Sequence, residues 1–502
     1  MKSLLALPVT GTGHVLGLVV MYTYFAILAI LCTYGLHRYL MVFLYYRHAR
    51  KAPKIDKTFE NLPPVTVQLP IFNEMYVAER LIDASCAIEY PREKLQIQVL
   101  DDSTDETQEV ARKKVEEWRA KGVDIEYVHR ADRTGYKAGA LNHGLHTAKG
   151  EFIALFDADF VPNADFLQKT IHYFTDEKTG CVQARWGHIN KEYSILTRLQ
   201  SIFLDGHMIM EHAARNRSGR FFNFSGTAGM WRKTTIADAG GWQHDTLTED
   251  LDLSFRAQLK GWKFVFVPQV VTPAELPVEM NGFKSQQHRW VKGSMQTSKK
   301  LLRDVATAKI PLHVKTEGIV HLTGNTAYIL TLLLTLMMFP VTYLRPKLEM
   351  KPSVILDLIV FGMATFSVCV FYLTSQAELY GWRGVVRTLF YTPMLLSMGI
   401  GMCLSNTKAV IEGLLTKGGE FVRTPKYAIN AGKDTFVGKK YKVSFKKLLP
   451  FAELAIGLGF GWVVYYSFMN GMYGAIPFQM LFFIGFTYVA FLSLFQGRLT
   501  AR

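Results

Sequence analysis

Hydrophobic positions are unevenly spread along this chain. From about Val15 to Leu36 nearly every residue is apolar, and a run of about 20 such residues spans a bilayer as a helix. Between roughly residues 60 and 300 the pattern changes to short apolar runs alternating with amphipathic stretches. Long apolar runs then return at 317–344, 353–374, 449–468 and 475–495, with a further one at 386–404. This is the pattern of a membrane protein with a globular domain inserted after its first span.

Inside the globular region, "VTVQLPIFNE" (Val65–Glu74) predicts a strand and turn, and "ERLIDASCAIEY" a helix. "LQIQVLDDSTDET" (Leu95–Thr107) predicts a buried strand, then acids, then a helix start. "IEYVHR" is a third strand and "KGEFIALFDADFVP" (Lys149–Pro162) a fourth. Strands alternating with helices predict a doubly wound, mainly parallel α/β sheet, beside an α-helical transmembrane bundle. Ligands of such sheets bind beyond the carboxyl ends of the strands. Asn73, Asp101, Asp102, Asp157 and Asp159 all fall there, so they are expected to converge on one cleft. No G-x-G-x-x-G or Walker lysine loop is present, which argues against dehydrogenase and ATPase functions.

Charge sets the orientation. Arg38, Arg47, Arg50, Lys51 and Lys54 follow the first span, and the positive-inside rule then places the globular domain in the cytoplasm. The loop from about 405 to 447 carries ten Lys or Arg between Lys408 and Lys447. If 386–404 crossed the bilayer, that loop would lie outside. The run holds Thr392-Pro393 and is flanked by Arg383, Arg387 and Lys408, so it reads as a helix in the interface plane. Five spans remain, with the N-terminus outside and the C-terminus inside. The basic tail, Arg498 and Arg502, agrees, whereas Arg345 and Lys347 in the short outer loop run against the rule. The expected organisation is a first span and linker over 1–54, a globular domain over 55–285, and connecting helices over 286–316. A span pair over 317–374, an interface helix and loop over 386–447, and a second pair over 448–502 complete it.

The chain has 502 residues and a net charge of +15. The excess positive charge lies beside the spans, where anionic lipid accounts for it, so nucleic acid is not an expected partner. A Lys2-only start and an overlong apolar run do not make a signal peptide. Five scattered cysteines without C-x-x-C spacing give no zinc site or disulfide framework. Asn325, Asp357 and Glu453 fall near or within spans, where a polar cavity or headgroup contact would receive them. "GLGFG" (Gly457–Gly461) suits close helix packing.

Chemistry gathers at three places. Asp157-Ala-Asp159, just after a strand, offers two carboxylates to one hard divalent cation that would also grip a diphosphate. "LTEDLDLSFRAQLKGWKF" (Leu247–Phe264) crowds Glu249, Asp250 and Asp252 into four residues. A helix N-terminus favours such acids by itself, so the cluster is ambiguous alone. "FKSQQHRWVKGSMQ" joins Gln286, Arg289 and Trp290: a guanidinium for phosphate oxygens and an indole for a sugar face, although taken alone the stretch reads as an interfacial amphipathic helix with Trp and basic anchors.

The motifs "LDDSTD", "DAD", "TED" and "QQHRW", in that order, resemble the family 2 inverting glycosyltransferases of GT-A fold, specifically the processive D, D, D, Q-x-x-R-W polysaccharide synthases. "IQVLDDSTD", "GYKAGAL", "FDADF", "VQARW", "GTAGMWR" and "AGGW" look most like the cellulose-synthase-like A and C groups, the mannan and xyloglucan-backbone glucan synthases. The resemblance covers about 60–300 closely and the membrane part loosely. It implies that Asn73, Glu74, Asp101, Asp102 and Lys137 hold the nucleotide, and that Asp157 and Asp159 hold Mg²⁺ or Mn²⁺ and the diphosphate. It places Gln286, Arg289 and Trp290 at the diphosphate and acceptor end, and Gly226 and Thr227 of "FFNFSGT" in the acceptor-side loop. It makes Asp250 of Thr248-Glu249-Asp250 the general base, with Glu249 beside the acceptor, and leaves Asp252 as a cap or salt-bridge residue. "GGEFVRTPKY" (Gly418–Tyr427) resembles the F-x-V-T-x-K gating loop of bacterial cellulose synthases, matching at Phe421, Thr424 and Lys426. The expected activity is a polymerase of a β-linked, specifically β-1,4, hexose polysaccharide (glucan or mannan) using UDP-glucose or GDP-mannose, in the inner or plasma membrane if the source is bacterial and in the Golgi if it is eukaryotic. Transfer of one sugar to a lipid acceptor is the alternative, and a transporter or receptor with a degenerate domain is disfavoured because every expected acid is present.

Overall fold

The computed structural model describes residues 12–348, 361–430, 434–436, 438–441 and 448–499. Among them, seven strands form one sheet: β1 (Val65–Ile71), β2 (Leu95–Asp101), β3 (Ile125–His129), β4 (Phe152–Leu155), β5 (Thr179–His188), β6 (Gly229–Arg232) and β7 (Lys263–Ala274). Their order is β3-β2-β1-β4-β6-β5-β7. β1 and β2 are buried on both faces, as central parallel strands are. Their inward polar residues are paired: Thr66 donates to Gln96 at 2.8 Å and Gln68 to Gln98 at 3.0 Å.

The mainly parallel expectation holds for β1–β4 and for β5 with β7, but β6 runs antiparallel to both β4 and β5. The reversal has a structural consequence. Gly229, the first residue of β6, pairs with Leu155, the last of β4. The loop that enters β6 therefore arrives beside the acids that follow β4.

Ten helices matter here. α1 (Thr12–Arg47) precedes the sheet; α2 (Tyr136–Leu145), α3 (Ile195–Gly206) and α4 (Glu249–Leu259) belong to the catalytic unit; α5 (Met280–Thr307) follows it. Then come α6 (Leu312–Lys347), α7 (Phe366–Gly401), α8 (Cys403–Leu415), α9 (Leu448–Met469) and α10 (Ile476–Leu499). One face of the sheet packs on aromatics such as Phe156, Phe166 and Phe174; the other receives Trp231, Phe222 and, from α1, Met41, Leu44 and Tyr45. Each fully buried side chain of this size contributes about 1.5–3 kcal/mol, and those from α1 fasten the first apolar helix to the catalytic unit.

Among the described residues, four helices are long and apolar enough to cross a membrane: Thr12–Arg47, Leu312–Lys347, Leu448–Met469 and Tyr473–Gln496. The bent pair Met363–Gly401 and Cys403–Leu415, 42° apart, would be a fifth. These contain the runs expected at 15–36, 317–344, 449–468 and 475–495. The start of the 353–374 run, Asp357 and the tail at Arg502 lie outside the described residues. The 386–404 run is no separate helix. It is the second part of α7, beyond a break at Gly381 (φ 63°, ψ −156°), and it ends where α8 begins. Its Trp382, Leu389 and Phe390 are exposed. The boundary expected between 285 and 286 falls inside the continuous α5, so Gln286, Arg289 and Trp290 share a helix with the end of the catalytic unit.

Glycines let the membrane helices meet. A Cβ on Gly485 would lie 2.1 Å from the Ser397 carbonyl, and Gly457, Gly459 and Gly461 pack against Thr487, Phe339 and Phe483. Glu453 is fully buried and accepts from Lys284 of α5 at 2.7 Å. Its partner is thus a protein cation, where the sequence suggested a headgroup or a cavity.

Candidate active site

One cavity of about 160 Å³ runs past the carboxyl ends of β1, β2 and β4 and reaches α4, α5 and the 421–426 loop. Asp102, Glu74, Lys137, Asp157, Asp159, Gly226, Glu249, Asp250, Gln286, Arg289, Trp290, Thr424 and Lys426 line it. Of the residues singled out in the sequence, three stand behind the wall. Asp101 is wholly buried and accepts from the Ser103 N–H at 2.8 Å and the Tyr127 hydroxyl at 2.7 Å. Asn73, at φ 52°, accepts from the Thr104 N–H at 2.8 Å, while its own N–H donates to Ser103. Thr227 accepts from the Asp157 N–H at 2.8 Å. All three brace strand-end loops, a role their short polar side chains suit, rather than facing the cavity.

Asp157 and Asp159 follow β4 directly. Lys137, from α2, pairs with Asp157, donates to the Gly226 carbonyl at 2.9 Å and lies 3.9 Å from Glu249. It ties the strand-end acids, the loop into β6 and the start of α4 together. Burial would lower the Lys137 pKa, but Asp157 and Glu249 outweigh it and the net shift is upward. Burial likewise raises Asp157, against the pull of Lys137, although a third of its side chain faces the cavity. Burial pushes Glu74 up to about 7, against the pull of Arg423.

Asp250 sits in the first turn of α4. Its Oδ1 accepts from the Leu251 N–H at 2.8 Å, and its Oδ2 lies 3.0 Å from where a Cβ on Gly226 would stand. Gly226 also has φ +83°, so both the backbone turn and the carboxylate require glycine there. Burial, then the neighbouring Glu249 carboxylate, pushes Asp250 up to about 7. α5 fixes this turn from behind: Gln296 accepts from the Leu247 N–H, Thr297 bonds Thr248, and a Cβ on Gly293 would lie 2.8 Å from the Thr248 nitrogen. Asp252 points away. It is fully buried between Arg256 at 2.7 Å and Lys300 at 2.9 Å, the salt-bridge role read from the sequence.

The 418–427 segment lies across the opening. Gly418 (φ 59°) and Gly419 (φ 140°) start it in conformations that favour glycine. Phe421 stacks on Tyr136 and under Arg289, whose Nη1 donates to the Val422 carbonyl at 3.0 Å. Lys426 donates to Asp159 and to the Glu275 carbonyl, both at 2.5 Å.

Several wall residues were not picked out as site residues in the sequence. Arg133 lies 3.3 Å over the Phe72 ring and donates to the Phe421 carbonyl. Arg423 stands over Tyr441 at 3.7 Å. Trp186 and His188 come from β5, and Trp186 meets Trp290 at 6.3 Å. The signal for Trp186 was its place in "VQARW", one of the runs that carry the family resemblance; the others carried no local mark.

A seven-stranded mixed sheet with an aspartate pair after β4, a lysine-bound loop and an acid at a helix start defines a GT-A nucleotide-sugar glycosyltransferase. The profile described as "Glycosyltransferase like family 2" matches residues 63–293. Glucomannan 4-beta-mannosyltransferase 9 of Arabidopsis thaliana is 34% identical over 409 residues, covering 79% of this chain and 74% of that protein. Glucomannan 4-beta-mannosyltransferase 1 of Cyamopsis tetragonoloba is 35% identical over 372 residues, covering 72% and 68%. The chain belongs to this glycosyltransferase family 2. Among solved structures, the mannosyltransferase PcManGT of Pyrobaculum calidifontis, in complex with GDP-Man and Mn²⁺, shares the fold (TM-score 0.51, 21% identity, 77% of this chain and 98% of that one).

Proposed function

We propose that this chain is a membrane-embedded, processive inverting transferase that builds a β-1,4-linked mannan or glucomannan from GDP-mannose, with UDP-glucose as the second donor. The observation that carries the reading is one cavity holding the Asp157/Asp159 pair, Asp250 against Gly226, and Trp290. The names of the relatives supply the sugar.

Asp157 and Asp159 fit a divalent cation. They are hard oxygen donors one residue apart, and each is now neutralised by a lysine. Among the described residues no group of three metal-binding side chains stands here, so substrate oxygens and water would complete the shell, as Mg²⁺ or Mn²⁺ commonly allows. When bound, the ion would neutralise charge developing on the leaving diphosphate. Arg289 and Lys426 would add positive charge on the same side. Glu74, Asp102 and Lys137 would shape the nucleotide end, with Asn73 and Asp101 setting its loops.

The acceptor sugar would lie on Trp290, between Glu249 and the Gly226 loop that Thr227 braces. Asp250 would take the proton from its hydroxyl as the new bond forms. Attack opposite the diphosphate inverts the anomeric centre. The cavity is smaller than the ~300 Å³ at which ligand pockets begin, so Gly418–Tyr427 would withdraw to admit the donor and close over it to exclude water. Thr424 and Lys426 are the closing contacts. The catalytic unit would face the cytoplasm, with the second part of α7 lying in the interface plane.

The test uses the whole protein in lipid nanodiscs with radiolabelled GDP-mannose, UDP-glucose and UDP-N-acetylglucosamine. GDP-mannose should label a polymer that an endo-β-1,4-mannanase digests. Label recovered only as a mono-glycosylated lipid would overturn the polymerase reading.

A further inference from the structure

Beyond the break at Gly381, α7 has two faces. Thr388, Thr392, Leu395 and Met398 are buried against the protein. Trp382, Val386, Leu389, Phe390 and Pro393 are exposed, at steps of four, three, one and three residues. At helical spacing these form one stripe about 100° wide, and Arg383 and Arg387 fall along one edge of it. Trp382 is 71% exposed and Phe390 82%. α10 packs on this part of α7, where Gly485 meets Ser397, and exposes Phe491 and Phe495. The stripe therefore neighbours the surface of a helix long and apolar enough to cross a membrane.

The turn between β5 and α3 adds charge along that edge. Arg387 donates to Glu192 at 2.6 Å, and the buried Arg198 of α3 pairs with the same carboxylate. Lys191 donates to the Tyr380 hydroxyl at 3.2 Å and stands 4.6 Å over its ring. Lys191, Arg198, Arg383 and Arg387 stand against Glu192 and, deeper, Asp205, which accepts from Gln376 at 2.9 Å. Positive charge is in excess. The turn is also fixed to the catalytic unit. Asn190 and Leu276 exchange hydrogen bonds of 2.9 and 2.8 Å, and a capping box at Ser194 starts α3. A patch held in this way costs a ligand little ordering.

Charge and exposure select the occupant. A soluble anion would answer the cations and leave the stripe in water. An apolar protein face would cover the stripe and leave the cations unanswered. A zwitterionic headgroup brings a cation of its own. An anionic phospholipid offers a phosphodiester to the cations and acyl chains to Trp382, Leu389 and Phe390. We propose that the 189–194 turn and the second part of α7 form a binding site for the headgroup of an anionic phospholipid in the membrane leaflet. Arg383 and Lys191 are its direct contacts, and Glu192 holds Arg387 and Arg198 in place behind them. The inference rests on the placing of that part of α7 in the interface plane.

The experiment is native mass spectrometry of the full-length protein in detergent, with phosphatidylglycerol or phosphatidylcholine of identical chains added. The wild type should retain phosphatidylglycerol about tenfold better. Arg383→Gln and Lys191→Gln leave the Glu192 pairs intact, and each should cut that preference about threefold at an unchanged melting temperature. The two together should abolish it, and Arg383→Lys should keep it. Lys51→Gln, beside the first apolar helix, should not alter it, and inorganic phosphate should not displace the lipid. Equal retention of the two lipids overturns the site, as does a preference that survives the double variant or falls equally in Lys51→Gln. Displacement by phosphate would make it a soluble-anion site, and a dimeric mass that Phe390→Ser splits would give the stripe to a second copy. Labelling of a Gly419 cysteine from outside would overturn the interface placement itself.

Discussion

Lys426 donates to the Asp159 carboxylate at 2.5 Å, so a residue of the loop occupies the acid that would share a divalent cation. Loop and cation would therefore compete for one carboxylate. Lys426→Ala should lower turnover by about tenfold to a hundredfold, the worth of one or two charge-assisted contacts. The matching neutralisation should not be made at Lys439, which bonds the Tyr427 carbonyl and so supports the same loop. Lys417, exposed before the hinge glycines, is the proper comparison, and Lys417→Ala should stay within about twofold. Equal losses in the two variants would reduce the loop to a general basic surface.

Asp159→Asn should abolish transfer while the protein still folds. EDTA should silence the wild type, with Mn²⁺ or Mg²⁺ restoring it. Undiminished activity in chelator is the result that removes the cation from the scheme.

Asp250 carries a pH signature. Its pKa is pushed up to about 7, and a carboxylate that serves as general base must be ionised, so kcat/KM should rise with pH through about 7. Asp250→Asn should keep donor binding and lose transfer by roughly a thousandfold or more. The stability sign is the opposite of a paired carboxylate's. A folded-state pKa above the unfolded value favours the fold below about pH 4, and that contribution fades as pH rises through about 7. Asp250→Asn should therefore melt higher than the wild type at pH 8 and show little difference at pH 4.

Asp252 should behave in reverse. It is buried between Arg256 and Lys300, and breaking a buried charge pair costs about 3–5 kcal/mol. Asp252→Asn should lower the melting temperature, yet its folded fraction should turn over near the wild-type rate. A catalytic loss matching that of Asp250→Asn would show that the base assignment is wrong.

The fully buried Lys284–Glu453 pair joins the Q-x-x-R-W helix to α9. Lys284→Met or Glu453→Leu alone strands a charge and should sharply reduce detergent-extractable folded protein. The double variant should recover much of it, because two matched apolar side chains can replace a buried pair. Failure of the double variant to exceed either single one would mean that the charges act separately.

Topology has its own measurement. A cysteine at exposed Gly419 should react with an impermeant thiol reagent from the cytoplasmic side only. Labelling from outside would mean that the second part of α7 crosses the bilayer and that the loop cannot serve a cytoplasmic site.

Local patterns were enough for β1 to β4, the apolar helices at 15–36, 317–344, 449–468 and 475–495, and the acids at strand ends. Short apolar runs closed by turn residues, 20-residue apolar runs and strand-end carboxylates are written in consecutive residues. So was Asp252's structural role, because its i+4 partner Arg256 is on the same helix. The tertiary structure decided what depends on distant segments meeting. The reversed β6 brings Gly226 to Asp250, and Gly293 of α5 braces the Thr248 turn. Lys284 reaches Glu453 across 169 positions, and Lys426 reaches Asp159 across 267. Asp101 and Asp102 look alike in sequence, but the first is consumed by Ser103 and Tyr127 while the second lines the cavity. Burial and partnership are properties of packed surroundings, and those exist only once the chain has closed on itself.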